Sequence, residues 1–405
     1  MKILYFGTIC DLENYDKLFI NSAIKPSVAP VVFESALLKG FKDNGVDVEI
    51  HSFPMIPTFP GFKKLSFGGN TENLSCGYSC RWLKTLNVPF LKQVSRRLNA
   101  RRIMKKWAKD NKDEGVIFTY SIPPFLVKDV IKYSKKYSLK SIAIIPDLLR
   151  DMYINENNSS FVSKLKNMYL KPALKVQGEY SGYIYLTDAM HNVVACEKPY
   201  CVMEGIADTD IIRTLSVEDK NHKRAIMYAG MLHEKYGIIN LLDAFSKIDG
   251  KNIELWLFGD GTAVNEIKTR AEGDFRIKYF GVKNRSEILE FERKATILVN
   301  PRDHREEFTE FSFPSKTIEY MMSGTPLITT KLKGIPDEYF DYVFTAASNS
   351  SEDLKSALDK VLESSDEELL AFGKNAQQFI KENKNACIQA KKILEFMKEG
   401  VEIES

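Results

Sequence analysis

The chain has 405 residues, of which 44% are hydrophobic and 27% are charged, and its formal net charge is +3. These values are typical of a globular protein with two or three domains, and the near balance of charge gives no indication of a nucleic-acid partner. No apolar run reaches the ~18 residues of a membrane-spanning helix. The cysteines show no metal-ligand spacing, so we expect reduced thiols in a cytoplasmic protein; they are residues 10, 76, 80, 196, 201 and 387.

The first half of the chain alternates apolar runs with helical patterns. The N-terminal run MKILYFGTIC is too short for a signal peptide and predicts a first strand that ends at Gly7. Such β-α-β alternation predicts a parallel sheet with helices on both faces. The predicted elements that follow are a helix at 31–45, strands at 46–53, 115–121, 140–147 and 182–190, and a helix at 123–138.

The β-α pattern restarts near residue 200 and runs through strands that end close to residues 230, 261, 281 and 302. We therefore predict an α/β fold with two Rossmann-like doubly wound domains that face a central cleft. The expected bounds are 1–200 for the first domain and 201–375 for the second. A helical tail at 376–405 is expected to pack back on the first domain.

Glycines end several of these strands. Ligands of open parallel sheets bind beyond the carboxyl ends of the strands, where glycine lets backbone amides approach a phosphate. The pattern is neither Gly-x-Gly-x-x-Gly nor a P-loop, so a dinucleotide or Walker site is not favoured. A simple tight turn is the competing interpretation. The candidate positions are Gly7, Gly230, Gly259 and Gly281, with Val282 as part of an apolar slot for a flat base.

The stretch FSFPSKTIEYMMSGTPLITT combines a helix start with one carboxylate in an apolar helix. Ser315 is expected to cap this helix, and the amides of Ser315, Lys316 and Thr317 are expected to bind a phosphate. Glu319 lies one turn further on the same face, where a carboxylate can accept hydrogen bonds from the two hydroxyls of a ribose. The competing interpretation is a surface pair between Glu319 and Lys316.

Two further charged residues follow strand ends. Lys235 comes five residues after Gly230, where an ammonium group can neutralise a departing diphosphate, unless it is simply a solvated lysine. Asp147 either orients a second substrate or caps a helix. Asp208 and Asp210 resemble an Asp-x-Asp metal motif, but we interpret them as capping residues and predict no metal site.

These motifs, with YAG…KYGI, LFGDG, FGV and VNPR, resemble a family 4 (group 1) glycosyltransferase of the GT-B fold. The resemblance is specific over about 225–330 and looser over 1–200. It implies an acceptor domain at the N-terminus and a nucleotide-sugar domain after it. The variant SFPSK…EYM resembles the branch found in bacterial surface-polysaccharide assembly.

The family carries two glutamates with seven residues between them, and Glu319 occupies the second, ribose-binding position. Phe311 stands at the first position, whose glutamate normally contacts the transferred sugar. Glu310, Glu307 or His304 is therefore expected to take over that contact.

The family also binds the diphosphate with an arginine and a lysine. Met231 stands near the arginine position, and Lys235 near the lysine position with spacing one residue short. Lys316 or Arg302 is expected to supply the missing charge. With these substitutions, the resemblance implies transfer with retention of configuration from a UDP- or GDP-linked sugar, without a metal or another cofactor. Lys235, Glu310 and Asp147 are the predicted catalytic residues.

Residues 81–112 hold eleven basic residues and one acidic residue, interleaved with apolar side chains that include two tryptophans. A basic amphipathic segment of this kind predicts binding to an anionic membrane surface, which suits a lipid-linked or glycan acceptor at the inner face of a cell membrane. A solvated helix packed on the first domain is the competing interpretation, and no nucleic-acid-binding module surrounds the segment.

Two other functions remain open at this stage. One is a nucleotide-sugar epimerase on the same fold, which would act without an acceptor. The other is a protein that binds nucleotide sugars without catalysis, because the first glutamate and the arginine of the family are replaced.

Overall fold

The computed structural model describes residues 1–20, 22–23, 26–149, 170–195, 197–221 and 223–401. The chain divides into two compact units, Met1–Ile206 with Ala386–Ser405, and Ala207–Asn385. Cys196 and His222 lie outside the described residues. The described cysteines are free thiols, of which Cys387 alone is exposed.

The first unit is built on a sheet with the strand order β10-β9-β8-β7-β1-β2-β5-β4, parallel except where β4 pairs antiparallel with β5. The short strands β3 and β6 form a separate antiparallel pair. The strands are β1 (Lys2–Gly7), β2 (Asp47–Ser52), β3 (Ser66–Phe67), β4 (Thr71–Asn73), β5 (Ser79–Trp82), β6 (Thr85–Leu86), β7 (Gly115–Tyr120), β8 (Lys140–Ile145), β9 (Gly182–Tyr185) and β10 (Tyr200–Val202).

Helices cover this sheet because its central strands are apolar on both faces, as β7 shows by being buried along its whole length. The C-terminal helix Ala386–Glu395 packs closely on a helix near the N-terminus, and Gly40 permits the approach, since an added Cβ would lie 2.1 Å from the Ala386 carbonyl oxygen. The other helices are α1 (Tyr15–Phe19), α2 (Ala29–Asp43), α3 (Leu91–Asp110), α4 (Val127–Tyr137) and α5 (His191–Val194).

The second unit has a six-stranded sheet that is parallel throughout, in the order β13-β12-β11-β14-β15-β16. Its strands are β11 (Arg224–Ala229), β12 (Ile253–Phe258), β13 (Ile277–Gly281), β14 (Ile297–Asn300), β15 (Leu327–Thr330) and β16 (Phe344–Ala346). Its helices are α6 (Ile238–Ser246), α7 (Val264–Gly273), α8 (Arg285–Lys294), α9 (Lys316–Ser323), α10 (Ser351–Leu362) and α11 (Asp366–Asn383).

Two details differ from the sequence-based bounds. The strand at 200–202 pairs with β9 and so completes the first sheet, whereas the sequence placed residues from 201 in the second domain. The predicted tail at 376–405 is divided, because α11 belongs to the second unit and the residues from Ala386 to the first. In both cases backbone pairing and packing decide to which unit the segment belongs. The sequence could not decide this, because a helix or strand has the same periodicity in either unit.

One side chain fixes the position of α9. The hydroxyl of Tyr320 is fully buried, accepts a hydrogen bond from the Ala229 amide at 2.9 Å and donates one to the Ala229 carbonyl at 3.1 Å. Ala229 is the last residue of β11, a central strand of the sheet. The bonds therefore hold α9 against the carboxyl end of the sheet, the edge at which ligands of such folds bind.

Replacing Tyr320 with Phe is expected to destabilise the protein by about 1–3 kcal/mol, because the buried Ala229 amide loses its partner. Urea unfolding followed by circular dichroism measures this loss. Tyr342→Phe is the matched control, since Tyr342 stacks on Phe379 and its hydroxyl makes no hydrogen bond among the described residues. Equal stability of the two variants would contradict the anchoring role.

Candidate functional site

Helix α9 presents one polar face on an otherwise buried helix. Its apolar residues Ile318, Tyr320 and Met321 are buried, and the helix ends at Gly324, whose φ of +76° favours glycine. The side chains of Lys316 and Glu319 are 35% and 17% exposed. The two charged side chains therefore lie on the face of α9 that stays partly exposed to solvent.

Lys316 and Glu319 form part of a dense charge cluster with α8. The Lys316 ammonium is ion-paired with Glu319 and lies 3.5 Å from Oε1 of Glu292, whose side chain is fully buried. The Nε of Arg285 lies 4.0 Å from Oε2 of Glu319. The pairing of Lys316 with Glu319 matches the competing sequence interpretation, but the pair is largely buried and is not a solvated surface pair.

The electrostatics of this cluster favour an ionised Glu319. Burial raises the pKa of the Glu319 carboxyl, but Lys316, Glu292 and Arg285 together outweigh burial, and the net pKa is lowered. Burial likewise disfavours the charged form of Lys316, but the two carboxyl groups outweigh it and raise the pKa of Lys316. The cluster therefore favours the ionised form of Glu319, with Oε1 held by Lys316 and Oε2 lying 4.0 Å from the Nε of Arg285.

The start of α9 differs from the predicted cap. Ser315 is exposed and has helical backbone angles, with φ −51° and ψ −27°, and its side chain makes no capping hydrogen bond. A side-chain cap requires extended backbone at this residue, so the capping prediction is wrong. The Thr317 amide donates to the Pro314 carbonyl at 2.8 Å. Among the described residues, the amides of Ser315 and Lys316 remain without a hydrogen-bond partner.

The glycine turns of the second unit pack directly on one another. The Gly230 amide donates to the Phe258 carbonyl at 3.0 Å, and the Gly259 amide donates to the Gly281 carbonyl at 2.9 Å. Gly259 has a φ of +127°, and an added Cβ would lie 1.8 Å from the Gly230 carbonyl oxygen. Glycine is therefore required at 259 for the approach of two turns, and these two amides are already engaged within the protein.

The turn at Gly281 is more open than the turns at Gly230 and Gly259. Gly281 has a φ of +67°, and no atom lies within 4 Å of the position that its Cβ would take. Val282 beside it is 73% exposed. An exposed valine at the carboxyl end of β13 fits the predicted apolar contact for a flat base, a role that remains a prediction.

Two cations meet on one aromatic ring near the end of β11. The Lys235 ammonium lies 5.1 Å from the centre of the Tyr236 ring, and the Arg302 guanidinium lies 4.7 Å from it. Lys235 is exposed and makes no ion pair among the described residues. The structure thus brings together the two cations that the sequence proposed separately for a diphosphate.

Tyr228 links these cations to α9. Burial raises the pKa of Tyr228 to about 12, and the positive charges of Arg302 and Lys316 oppose that rise, so both cations act on this one phenol. The Tyr228 hydroxyl donates to the Met231 carbonyl at 3.1 Å. The Met231 side chain itself is 54% exposed. Sequence reasoning missed Tyr228 and Tyr236, although both lie in the motifs YAG and KYGI.

The candidates for the first glutamate position are dispersed. The Glu310 carboxylate is ion-paired with Lys333 at 3.0 Å, and His304 lies 3.9 Å from Asp303. Glu307 is exposed. Glu310 is thus held by a lysine, and among the described residues it makes no ion pair with the Lys316–Glu319 cluster. Its predicted catalytic role stays a prediction.

In the first unit, the turn after β1 is filled by a carboxyl group. Glu34 is fully buried and accepts hydrogen bonds from the Thr8 amide at 2.9 Å and from the Tyr5 hydroxyl at 2.8 Å. An added Cβ on Gly7 would lie 1.8 Å from the Glu34 carboxylate. Gly7 therefore admits a side chain of the protein itself, and the Thr8 amide is not open to a phosphate. Asp147 is exposed and follows β8 directly.

The Asp-x-Asp sequence is a cap, as predicted. The Asp208 side chain accepts a hydrogen bond from the Asp210 amide at 3.3 Å at the start of a short 3₁₀ turn. Among the described residues, no group of three or more His, Cys, Asp or Glu side chains is arranged to hold a metal ion. Nor does any helix in the described ranges combine the length and apolarity that crossing a membrane requires.

Comparisons with known proteins bear on the family and the fold of the chain. Residues 212–379 match the family model for glycosyl transferases group 1. No curated protein sequence matches the chain. The model match covers β11 to β16 and therefore includes every residue of the Lys316–Glu319 cluster and the ring pair of Lys235 and Arg302.

Several solved structures resemble the whole chain. Sucrose-phosphate synthase from Thermosynechococcus elongatus is 12% identical with a TM-score of 0.68, over 98% of this chain and 99% of that one. HepE from Anabaena in complex with UDP is 14% identical with a TM-score of 0.63, over 98% and 100%. The lipopolysaccharide outer core galactosyltransferase WaaB is 13% identical with a TM-score of 0.59, over 99% and 100%. The chain has the GT-B fold, and the family match supports a group 1 glycosyltransferase.

The buried Glu34 generates a pH prediction. Burial raises the pKa of Glu34 from 4.5 to about 7, although the Thr8 and Tyr5 donors oppose the shift. The folded state therefore binds more protons than the unfolded state between these two values, and the free energy of unfolding falls by about 3 kcal/mol as pH rises across this window.

Glu34→Gln should remove this component of the pH dependence, which denaturant titrations of both proteins at a series of pH values would measure. Glu114→Gln, at an exposed position of the same unit, is the control and should keep the wild-type slope. A constant stability difference between wild type and Glu34→Gln over the whole window would rule out the neutral carboxyl group.

Proposed function

We propose that this protein is a retaining, metal-independent glycosyltransferase of family 4 that moves a sugar from a UDP- or GDP-linked donor to a glycan or lipid-linked acceptor. The observation that carries the proposal is the pairing of Glu319 with Lys316 on the polar face of α9, at the carboxyl end of the matched sheet. Transfer to a growing capsule or O-antigen-type chain is the pathway that the sequence motif of this helix favours.

The donor would exchange partners with the Lys316–Glu319 pair. The two hydroxyls of a ribose would bind the Glu319 carboxylate, while the diphosphate would attract the Lys316 ammonium that this carboxylate now holds. The Glu319 carboxylate would then keep hydrogen-bond donors and the Lys316 ammonium would keep a negative partner, which limits the cost of burying the two charges. The solved complexes of HepE with UDP and with UDP-glucose support a donor of this class.

Charge stabilisation would supply the catalysis. In a front-face mechanism the departing diphosphate accepts the proton of the incoming hydroxyl, so that the protein needs no nucleophile. Lys235 and Arg302, which both lie against the Tyr236 ring, would neutralise the charge that develops on the diphosphate. Asp147, exposed at the end of β8, would orient the acceptor, and Glu310 would contact the transferred sugar.

The surface of α3 supports an acceptor at a membrane. Both tryptophans of the basic segment are buried and so do not form part of its surface, because Trp82 donates to Glu72 and Trp107 packs in the core. Exposed apolar side chains replace them at the start of the helix. These residues form the α3 apolar stripe: Leu86, Phe90, Leu91, Val94 and Leu98.

Cations continue the same helix face. Arg102, Lys105 and Lys109 follow Leu91, Val94 and Leu98 at spacings of three and four residues, and all three are exposed. Lys92 and Arg96 point inward instead, where they donate to backbone carbonyls of the loop before β3. A helix face that is apolar at one end and cationic at the other complements an anionic lipid surface.

Glu319→Ala should weaken nucleotide binding about 10- to 100-fold, the effect of losing hydrogen bonds to a charged group worth about 1.5–3 kcal/mol. Isothermal titration with UDP and GDP measures the binding, and transfer to an acceptor extract should nearly disappear. Glu352→Ala, which removes a lysine-paired glutamate at the surface of the same unit, is the control.

A loss of only a few-fold in Glu319→Ala would contradict the ribose role. Incubating the wild type with the nucleotide sugar alone separates the remaining functions. An epimerised sugar formed without an acceptor would indicate an epimerase, and binding without turnover against any acceptor would indicate a non-catalytic protein.

Leu91→Ser combined with Val94→Ser should reduce binding to vesicles of phosphatidylglycerol and phosphatidylcholine about tenfold or more, because each side chain loses apolar burial worth ~1 kcal/mol or more. Vesicle sedimentation measures the bound fraction. Phe275→Ser removes an exposed aromatic ring from the second unit and should bind as the wild type does. Equal binding of all three proteins would contradict a membrane role for the stripe.

A further inference from the structure

Glu292 has no assigned role, yet it is the most deeply buried charged side chain of the α8–α9 cluster. Its side chain is fully buried, and its Oε2 has no hydrogen-bond partner among the described residues. Its Oε1 lies 3.5 Å from the Lys316 ammonium, which is already paired with Glu319. One ammonium group therefore faces two carboxyl groups, of which Glu292 is fully buried and Glu319 is largely buried.

The neighbouring charges do not resolve this imbalance. Arg285 has its Nε 4.0 Å from the Glu319 carboxylate and makes no ion pair with Glu292 among the described residues. Arg293, on the same helix as Glu292, interacts with it only through the longer-range field. The Tyr320 hydroxyl, on α9, is committed to the Ala229 backbone and leaves no donor for Glu292. An unpaired buried carboxylate is unstable, whereas a protonated one can donate a hydrogen bond.

We propose that Glu292 is a positioning residue, a neutral carboxylic acid that donates a hydrogen bond to the Glu319 carboxylate and fixes its orientation toward the nucleotide. A proton on Oε2 of Glu292 lets this otherwise unpartnered atom donate to the Glu319 carboxylate, while Oε1 of Glu292 accepts from Lys316. Glu319 then stays ionised, and Lys316 stays balanced by a single negative charge. The inference rests on the proposed function in so far as Glu319 binds a ribose.

Burial raises the pKa of Glu292 well above its usual value, and the adjacent Glu319 carboxylate raises it further. Burial also opposes the ionisation of Glu319, but Lys316, Glu292 and Arg285 together lower its pKa. The two carboxyl groups thus shift in opposite directions, which is consistent with a close pair that holds one proton. Ionising Glu292 at high pH would place a second anion beside Lys316, compete for that ammonium and repel a diphosphate.

The test compares Glu292→Gln, which keeps a neutral donor of the same size, with Glu292→Ala, which removes it. Isothermal titration with UDP, and with GDP if UDP does not bind, is run at intervals from about pH 6 to about pH 9. Near pH 7 the glutamine variant should bind within about threefold of the wild type, and the alanine variant about tenfold or more weakly. At high pH the wild type should lose affinity and the glutamine variant should not.

A glutamine variant that loses as much affinity as the alanine variant near pH 7 would overturn the proposal, since it would show that a negative charge is required at 292. So would a wild type and a glutamine variant with the same pH profile. If the alanine variant does not fold, the comparison of wild type with Glu292→Gln still decides between a neutral and an ionised Glu292.

An infrared difference spectrum separates this inference from the proposed function. Glu34→Gln serves as the background for this measurement, because the buried Glu34 also has a raised pKa, of about 7. A carbonyl band of a protonated carboxylic acid that is present in Glu34→Gln and absent from the double variant Glu34→Gln/Glu292→Gln near neutral pH supports a neutral Glu292, and absence of the band in both overturns it. This readout needs no ligand. Failure of the wild type to bind any nucleotide would contradict the proposed function alone.

Discussion

The hydroxyl of Tyr320 satisfies both backbone groups of Ala229, and the geometry of the candidate site depends on this contact. It ties α9 to the last residue of β11, so that the polar face of the helix opens at the carboxyl edge of the sheet. The turn after the same strand carries Lys235 toward the Tyr236 ring, where Arg302 joins it. One buried phenol therefore links the position of the carboxylate proposed for the ribose to the strand whose end carries the cations proposed for the diphosphate.

Burying the charge cluster between α8 and α9 costs free energy, and each charged group in it has few partners of opposite charge. A lysine, an arginine and two carboxyl groups meet where most of their surface is hidden from water, and such groups must be paired to be tolerated. Buried pairs of this kind are poor sources of stability but hold side chains in fixed orientations. This arrangement suits a site that must present an anion to sugar hydroxyls and a cation to a phosphate.

The sequence predicted most of the fold, because a parallel sheet buried on both faces leaves apolar runs of characteristic length separated by amphipathic helices. It also proposed Lys235, Lys316 and Glu319 from their positions after strand ends, and Arg302 from the family resemblance, and the roles of all four stay predictions. It could not foresee that Gly7 makes room for Glu34 or that Gly259 makes room for the Gly230 carbonyl, because such contacts join residues far apart in sequence. The sequence did not single out Glu292 either, because a glutamate on an amphipathic helix is ordinarily exposed to solvent and its contact with Lys316 joins two different helices.

The most direct test of the account is a crystal structure of the full chain with UDP or GDP bound. The account predicts that the two ribose hydroxyls lie within hydrogen-bond distance of the Glu319 carboxylate and that the Lys316 ammonium has turned from Glu319 toward the diphosphate. A nucleotide bound elsewhere, with the Lys316–Glu319 pair intact as in the ligand-free chain, would contradict it.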